Sequence, residues 1–481
     1  MTDQDLTGLT LADASAGIRN GALSPVELTE LMLARIERLN PELVAYVTVA
    51  QEEALADARA AEGEIRDGKH RGPLHGIPLS IKDNIATRGI RTTAGSKVLE
   101  ECIPDYDATV VARLREAGAV ILGKTNMHEW ANGGTTINPF YGTTRNPWDT
   151  ERIAGGSSGG SAAGLGASLC LGSIGTDNGG SVRNPASLCG TVGFKPTYGR
   201  ISRFGHVPGD GGFSTNHLGV FSKTVRDCAL ILQAIAGKDP KDPNSADEPV
   251  PDYEDGLDAG IEGFRVGIVR DYFYRYMTRT VREAFVAAQR QLDSLGARLV
   301  ELGVPHLDTT RFVWPCITRP ENVVENLPYL TARPRDYSPR LLRQNIASML
   351  IPADAYVAAQ RIRRLLCREF DTAFGQVDII ATPTAAVPAP TIEESERAVM
   401  EVDGQEIRLE SPGVNFRSLF TTPFNLTGLP ALSVNCGFSA GGLPIGLQLV
   451  GPRFEEQRVL RAAHAYEQAA GWYRRTPPVG G

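Results

Sequence analysis

Between Arg152 and Asp177 the chain carries no charge, and the stretch IAGGSSGGSAAGLGASLCLGSIGTDNGGSVRNPASLCGTVGFKPT (153–197) is built largely of glycine, serine and alanine. Glycine loses more conformational freedom on folding than any other residue. A dense cluster therefore belongs where backbone passes close to another group or takes dihedrals that side chains refuse. The uncharged window 153–176 is long enough to cross a bilayer and has small-xxx-small spacings such as Gly156 to Gly160. It lacks the Leu, Ile, Val and Phe content that drives insertion, so it is expected to lie inside a soluble fold and to build a site.

The flanking sequence has a βαβ rhythm. LSPVELTELMLARIERLN begins with Ser24, Pro25 and Glu27 in capping-box order, and Leu28, Met32, Ile36 and Leu39 follow at helical spacing. HGIPLSIKDN is expected to be a short strand ending at Lys82. ATVVARLREAGAVILGKTN predicts a helix, a stop at Gly118 and a buried strand over 119–122. A second strand, helix, strand unit is predicted in FRVGIV, TVREAFVAAQRQLDSLGA and RLVEL, after a polar, proline-rich loop over 238–256. Residues 315–370, rich in proline and arginine, are expected to be a helical cap on a single domain spanning 1–481. VDIIATPT, ALSVNCGF and PIGLQLVG close the sheet, and a last helix follows.

With 49 Lys plus Arg against 56 Asp plus Glu, the net charge is −7, and no basic block is present. Affinity for nucleic acid or an anionic membrane is not expected. The seven scattered cysteines contain no CxxC pair, which predicts buried thiols in a reducing, cytoplasmic setting; the acidic start MTDQDLTGLT is unlike a signal peptide.

GAVILGKT (118–125) matches a phosphate-binding loop letter for letter, but Ala119 to Leu122 are strand residues, and nucleotide binding is not expected. GSSGG (156–160) fits a nucleophile elbow, yet His206, His217, His306 and His464 are better explained by packing or surface positions, so no histidine base is identified. His128 and Glu129 lack the second histidine of a zinc motif, and no metal is expected. What remains is Lys82 with two serine clusters. In TDNGGSVR, the amides of Gly179, Gly180 and Ser181 on a tight turn could converge on one oxygen, as in an oxyanion hole; a plain glycine turn is the competing reading.

Taken together, PLSIKDN, GGSSGGSAAG, GTDNGGSVRNPASLCGTVGFKPTYGR and FNLTGLPALSVNCG…GLPIGLQLVG resemble, in order and spacing, the amidase signature family of serine hydrolases. The resemblance implies an α/β fold with a central mixed β-sheet covered by helices, and catalysis without metal or cofactor. It further implies Ser181 as nucleophile, Ser157 as a bridging serine after a cis peptide, Lys82 as base, and Asn178, Gly179, Gly180 and Ser181 as the oxyanion segment. Trp130 and Ala131 lie where the family contacts substrate. Asn178 and Asn184 stand where apolar residues are common in that family.

A free lysine has a pKa near ~10.4, so the base role requires a site that disfavours the cation; Asp83 would oppose this unless it faces the other way, as strand neighbours do. The expected activity is hydrolysis of a small-molecule amide through an acyl-enzyme on Ser181. Trp130, Phe140, Trp314, Tyr329 and Tyr337 suggest an aryl or alkyl amide. The alternatives are a carbamate or aryl-amide hydrolase of the same family, the glutamine-hydrolysing subunit of a tRNA-dependent amidotransferase, and, furthest from the triad, a silent binding protein. Such subunits hold the substrate α-amine with an acidic residue shortly before the NLTGLPA-like segment; here NFRSLFTTPFNL has Ser418 at that place. The number of copies stays open, a homodimer included.

Overall fold

The sheet is assembled from two parallel flanks and an antiparallel centre, in a computed structural model that describes residues 3–207, 213–397, 399–402, 405–408 and 418–479. Its eleven strands are β1 (Tyr46–Val49), β2 (Pro78–Lys82), β3 (Val120–Thr125), β4 (Gly172–Asp177), β5 (Val192–Lys195), β6 (His217–Ser222), β7 (Arg265–Ile268), β8 (Arg298–Glu301), β9 (Ile379–Pro383), β10 (Ala431–Phe438) and β11 (Pro444–Val450). Their spatial order is β1-β3-β2-β4-β6-β5-β10-β11-β9-β7-β8. The pairs β3–β2, β2–β4, β9–β7 and β7–β8 run parallel, and the rest are antiparallel. The expected α/β mixed sheet is therefore present, with strands β2, β4 and β9 to β11 buried almost throughout, as strands covered on both faces must be.

Local sequence accounts for the elements that feed the site. Helix Pro25–Leu43 starts where Ser24 Oγ accepts the Glu27 N–H at 3.2 Å, and Leu28, Met32, Ile36 and Leu39 are buried. The same Ser24 hydroxyl donates its proton to Glu62 on the following helix. The strand predicted for 119–122 runs on to Thr125, and Lys124 within it is buried and donates to Ile85 C=O, Thr87 Oγ1 and Thr92 Oγ1. Burial pushes its ammonium down to about 8. The phosphate-loop match is thus a buried strand. The polar loop over 238–256 contains no helix or strand and is tied down by Arg113, which donates to Ile235, Gly237 and Lys238 carbonyls.

Residues 310–374 form helices Thr310–Ala332, Pro339–Ser348 and Ala353–Phe374. Val313, Ile317, Ala359 and Leu366 pack with Leu426 in a small core of their own, which seats these helices beside the segment leading into β10.

The uncharged window forms a buried turn, helix Gly159–Gly166 and strand β4, and it answers its glycine content by close approach. A Cβ on Gly160 would lie 2.4 Å from Ala45 O and 2.5 Å from Asn126 N and O, all backbone atoms that cannot rotate away. Gly164 on the same helix has only ordinary contacts, the nearest at 3.6 Å. Gly160→Ala is therefore expected to lower the unfolding free energy by about 1–3 kcal/mol despite the better helix propensity of alanine. Gly164→Ala should be neutral or stabilising. Urea denaturation of both checks this, and equal stability of the two would reject the close-contact account.

Candidate active site

Strands β2 and β4 are parallel neighbours, paired Leu79 to Gly172 through Ile81 to Ile174, so their carboxyl ends open on one edge. Such ends are where open α/β sheets place ligands. Lys82 closes β2, is fully buried, and donates from Nζ to Ser157 Oγ and to Thr176 Oγ1, each at 2.7 Å. Both partners are uncharged hydroxyls. Asp83 turns the other way, as alternation along a strand requires: its carboxylate accepts from the Thr93 hydroxyl and from the Thr93 amide at 3.2 Å, beside Lys124. Burial raises the Asp83 carboxyl, and the Lys124 charge opposes that rise.

Ser157 follows a cis Gly156–Ser157 peptide and precedes helix Gly159–Gly166. Its carbonyl accepts the His128 N–H at 3.0 Å, and the next amide, Ser158 N–H, donates to Ser181 C=O at 3.3 Å. The three residues singled out as a triad are thereby gathered at one place. Lys82 and Ser157 meet through their side chains, and the Ser157 turn meets Ser181 through backbone.

The loop from Asp177 to Arg183 is shaped by the charge pair at its two ends. Asp177 at the end of β4 accepts Gly180 N–H on Oδ1 at 2.8 Å, and Val182 N–H on Oδ2 at 3.0 Å. Arg183 clamps the same carboxylate from Nη2 at 2.8 Å and Nε at 3.1 Å, and both side chains are fully buried. Arg183 also donates to Thr421 C=O, Gln448 Oε1 and Asn425 Oδ1, while Asn425 Nδ2 returns a bond to Asp177 Oδ1 at 2.9 Å. Burial alone would raise the Asp177 carboxyl; the Arg183 charge and hydrogen bonds override it and hold the carboxyl well below the usual range. With these amides drawn inward, Ser181 is left at the tip, the one residue between Ala167 and Cys189 with partial solvent access. Two opposite charges six residues apart around NGGSV, in an otherwise uncharged stretch, were the available signal.

Gly180 has φ +123°, and a Cβ there would lie 2.0 Å from Thr421 Oγ1, so glycine is required; its N–H donates to Asp177 Oδ1 at 2.8 Å. Trp130 is fully buried, packed on Tyr329 at 5.3 Å and stacked on Tyr337 at 6.0 Å, in a small cluster with Leu330 and Leu341 of the helical region. Ala131 beside it is partly exposed with φ +52°. Phe140 is exposed on a hairpin tip. Of the five aromatics, Trp314 is the one set against the Asp177–Arg183 loop: its Nε1–H donates to Asn178 C=O at 2.9 Å, and a Cβ on Gly179 would touch its ring at 3.1 Å.

The four histidines stay outside this cluster's lysine–serine contact. His306 pairs with Glu369 at the surface, His464 with Asp258, and His217 is buried with Nδ1 2.7 Å from Thr215 O. His206 Nε2 lies 3.3 Å from Asn84 Nδ2. Among the described residues no group of three or more His, Cys, Asp or Glu side chains is placed to hold a metal.

A buried lysine meets one serine at the carboxyl edge of a mixed sheet, beside a glycine-built loop that presents a second serine, on a fold of the α/β class. The family description Amidase matches residues 27–460, and the chain belongs to the amidase signature family. It is 39% identical to the A subunit of the glutamyl-tRNA(Gln) amidotransferase of Moorella thermoacetica, over 99% of each chain. Among solved structures it is similar to one from a vestigial protein complex bearing on the origins of an s-triazine catabolic enzyme, with TM-score 0.89 and 35% identity over 96% of this chain and 99% of that one. It is also similar to a structure described as an amidase, with TM-score 0.86 and 33% identity over 96% and 100%.

Proposed function

We propose that the chain hydrolyses a carboxamide through an acyl-enzyme on Ser181, releasing ammonia in the manner of the amidotransferase A subunits it resembles over its full length. Ser181 Oγ attacks the carbonyl carbon as its proton passes to Ser157 and the Ser157 proton passes to Lys82. The tetrahedral oxyanion is held by amides of the 178–181 segment, the relay runs back to protonate the departing nitrogen, and water repeats the sequence to free the acid. The observation that carries this reading is the 2.7 Å contact between a fully buried Lys82 and Ser157. A buried ammonium with hydroxyl partners is disfavoured relative to water, which is what a lysine base needs.

Identity of 39–42% to amidotransferase A subunits favours glutamine as the amide and partner subunits with a tRNA as the setting. One observation favours a second reading, a free-standing amidase: Ser418 stands where the resemblance implies an acid for the glutamine α-amine. Residues 415–417 of that stretch lie outside the described residues. Ammonia release by the purified chain separates the two. An amidotransferase component is expected to act on glutamine and to be stimulated by partner subunits and glutamyl-tRNA. A free-standing amidase is expected to act on simple amides or anilides unaided. Absence of ammonia from every amide with every partner would overturn both.

A further inference from the structure

We propose that a crevice at the edge of the sheet where β4 begins, opposite the edge that carries Lys82 and Ser181, is a binding site for a monatomic anion such as chloride, held by Thr191, Asn435 and Lys223. Strand β5 lies between β6 and β10, with Val192 paired to Ser222 on one side and Gly193 to Ser433 on the other. Continuing both registers to residue 191 brings Lys223 and Asn435 level with Thr191. Residues level across neighbouring strands share a face, about 5 Å apart. All three line one crevice, which Glu467 of helix Glu456–Ala470 and the rings of Trp472 and Tyr473 close off. It is remote from the reaction, because β6 runs from Ser222 beside Gly172 to His217 beside Asp177, a span of about 17 Å along the strand.

The crevice presents donors that lack an acceptor. Thr191 and Asn435 are 4% and 6% exposed, and neither Thr191 Oγ1 nor Asn435 Nδ2 meets a hydrogen-bonding partner among the described residues. Asn435 is fixed by its other end, since Oδ1 accepts the Gly437 N–H at 2.9 Å; the group left over is the donor. Lys223 adds a charge. Its Nζ donates to the Thr7 and Leu9 carbonyls at 2.7 and 3.0 Å, which are neutral, and burial brings its ammonium down to about 8, still charged at pH 7. Asp227, the acid that acts on it most strongly through space, spends its carboxylate on the Ala12 and Thr224 N–H groups. Glu467 does not supply the acceptor either: both its oxygens take the Val225 N–H, and burial pushes its carboxyl up to about 8, so it is neutral at pH 7. Leaving buried donors unpaired beside a cation is unfavourable, and an anion removes both penalties. The free volume is about 10 Å³, the room that one water-sized sphere takes and too little for an oxoanion. A water would also need acceptors for its own hydrogens, whereas a halide accepts from every side. The bound anion braces the N-terminal segment, by balancing the charge of the side chain that bonds Thr7 and Leu9.

The test uses bromide and chloride as probes of the full chain, in wild type, Thr191→Val and Asn435→Leu. Wild-type crystals soaked in sodium bromide and measured at the bromine edge are expected to show an anomalous peak between Thr191 and Asn435. In solution, wild type is expected to broaden the chloride NMR line, and bromide should compete that broadening away. Each substitution removes one donor to the anion and should weaken halide binding by about 10- to 100-fold. Thr191→Val keeps the shape of the side chain, so binding lost at an unchanged melting temperature marks a missing donor and not a damaged fold. A water in the crevice and no bromide overturns the site. A bromide peak that survives both substitutions is an adventitious ion only and overturns it as well, as does chloride broadening that is equal in all three proteins.

Discussion

Ser181→Ala is expected to reduce turnover of any amide this chain hydrolyses by on the order of 10⁴- to 10⁶-fold, because without the hydroxyl no acyl-enzyme forms. The fold should not notice. Ser181 sits at a loop tip with partial solvent access, and the loop is held by Asp177, Arg183 and Asn425, none of which uses the Ser181 hydroxyl. Thermal unfolding is therefore expected to shift by no more than a surface substitution does, about 0.5 kcal/mol. Lys82→Met should be nearly as inactive. It should also be less stable, since it takes the donor from the buried Ser157 hydroxyl at about 1–3 kcal/mol, while Thr176 keeps a donor in Asn84 at 3.1 Å. Residues acting as one relay are non-additive, so the double variant is expected to be no slower than Ser181→Ala alone. Pre-steady-state kinetics with a nitrophenyl ester, which acylates fast, checks the assignment: wild type should release a burst of nitrophenol and Ser181→Ala none. Burst kinetics surviving in Ser181→Ala would move the nucleophile elsewhere.

The parts of this site that could be read in the sequence are those fixed by local chain. Lys82 at the end of an apolar run, and Ser157 and Ser181, each directly after two glycines, sit where strand alternation or turn geometry decides the direction of a side chain over a few residues. The βαβ flanks were legible for the same reason, since Thr109–Glu116 and Arg279–Ser294 bridge adjacent parallel strands. What escaped depends on distant chain. Whether the Gly180 amide is free is decided by Asp177 together with Arg183, and Arg183 is in turn fixed by Asn425 and Gln448, 242 and 265 residues away. Trp130 is placed near substrate by the family resemblance alone, and nothing near it in sequence says that Tyr329 and Tyr337 will cover its ring. The strand order was equally out of reach, since β5 lies between β6 and β10, and β10 begins more than two hundred residues later.

Arg183→Met should be the most destabilising single substitution at this site. The arginine and Asp177 are both fully buried, and removing one partner leaves a buried charge without compensation, which costs about 3–5 kcal/mol. The loss should carry a pH signature that distinguishes it from a packing defect. In wild type the folded-state pKa of Asp177 is depressed, so its stabilising contribution is present above the unfolded value of ~3.9 and is lost as pH falls from there toward the folded value. In the variant the arginine charge is gone, and Lys195 and Asn425 are left to oppose burial, so the depression of the carboxyl pKa shrinks. The Asp177 contribution to stability at neutral pH shrinks with it. The stability gap between the two proteins is therefore expected to be widest near pH 7 and to narrow below about pH 4, with other carboxylates cancelling in the difference. Urea melts at a series of pH values measure that gap, and one that stayed constant from pH 7 to pH 3.5 would mean that Arg183 holds the loop by shape and not by charge. Activity should fall with stability in this variant, because the same carboxylate that receives Arg183 draws in the amides on either side of Ser181 and so aims the nucleophile.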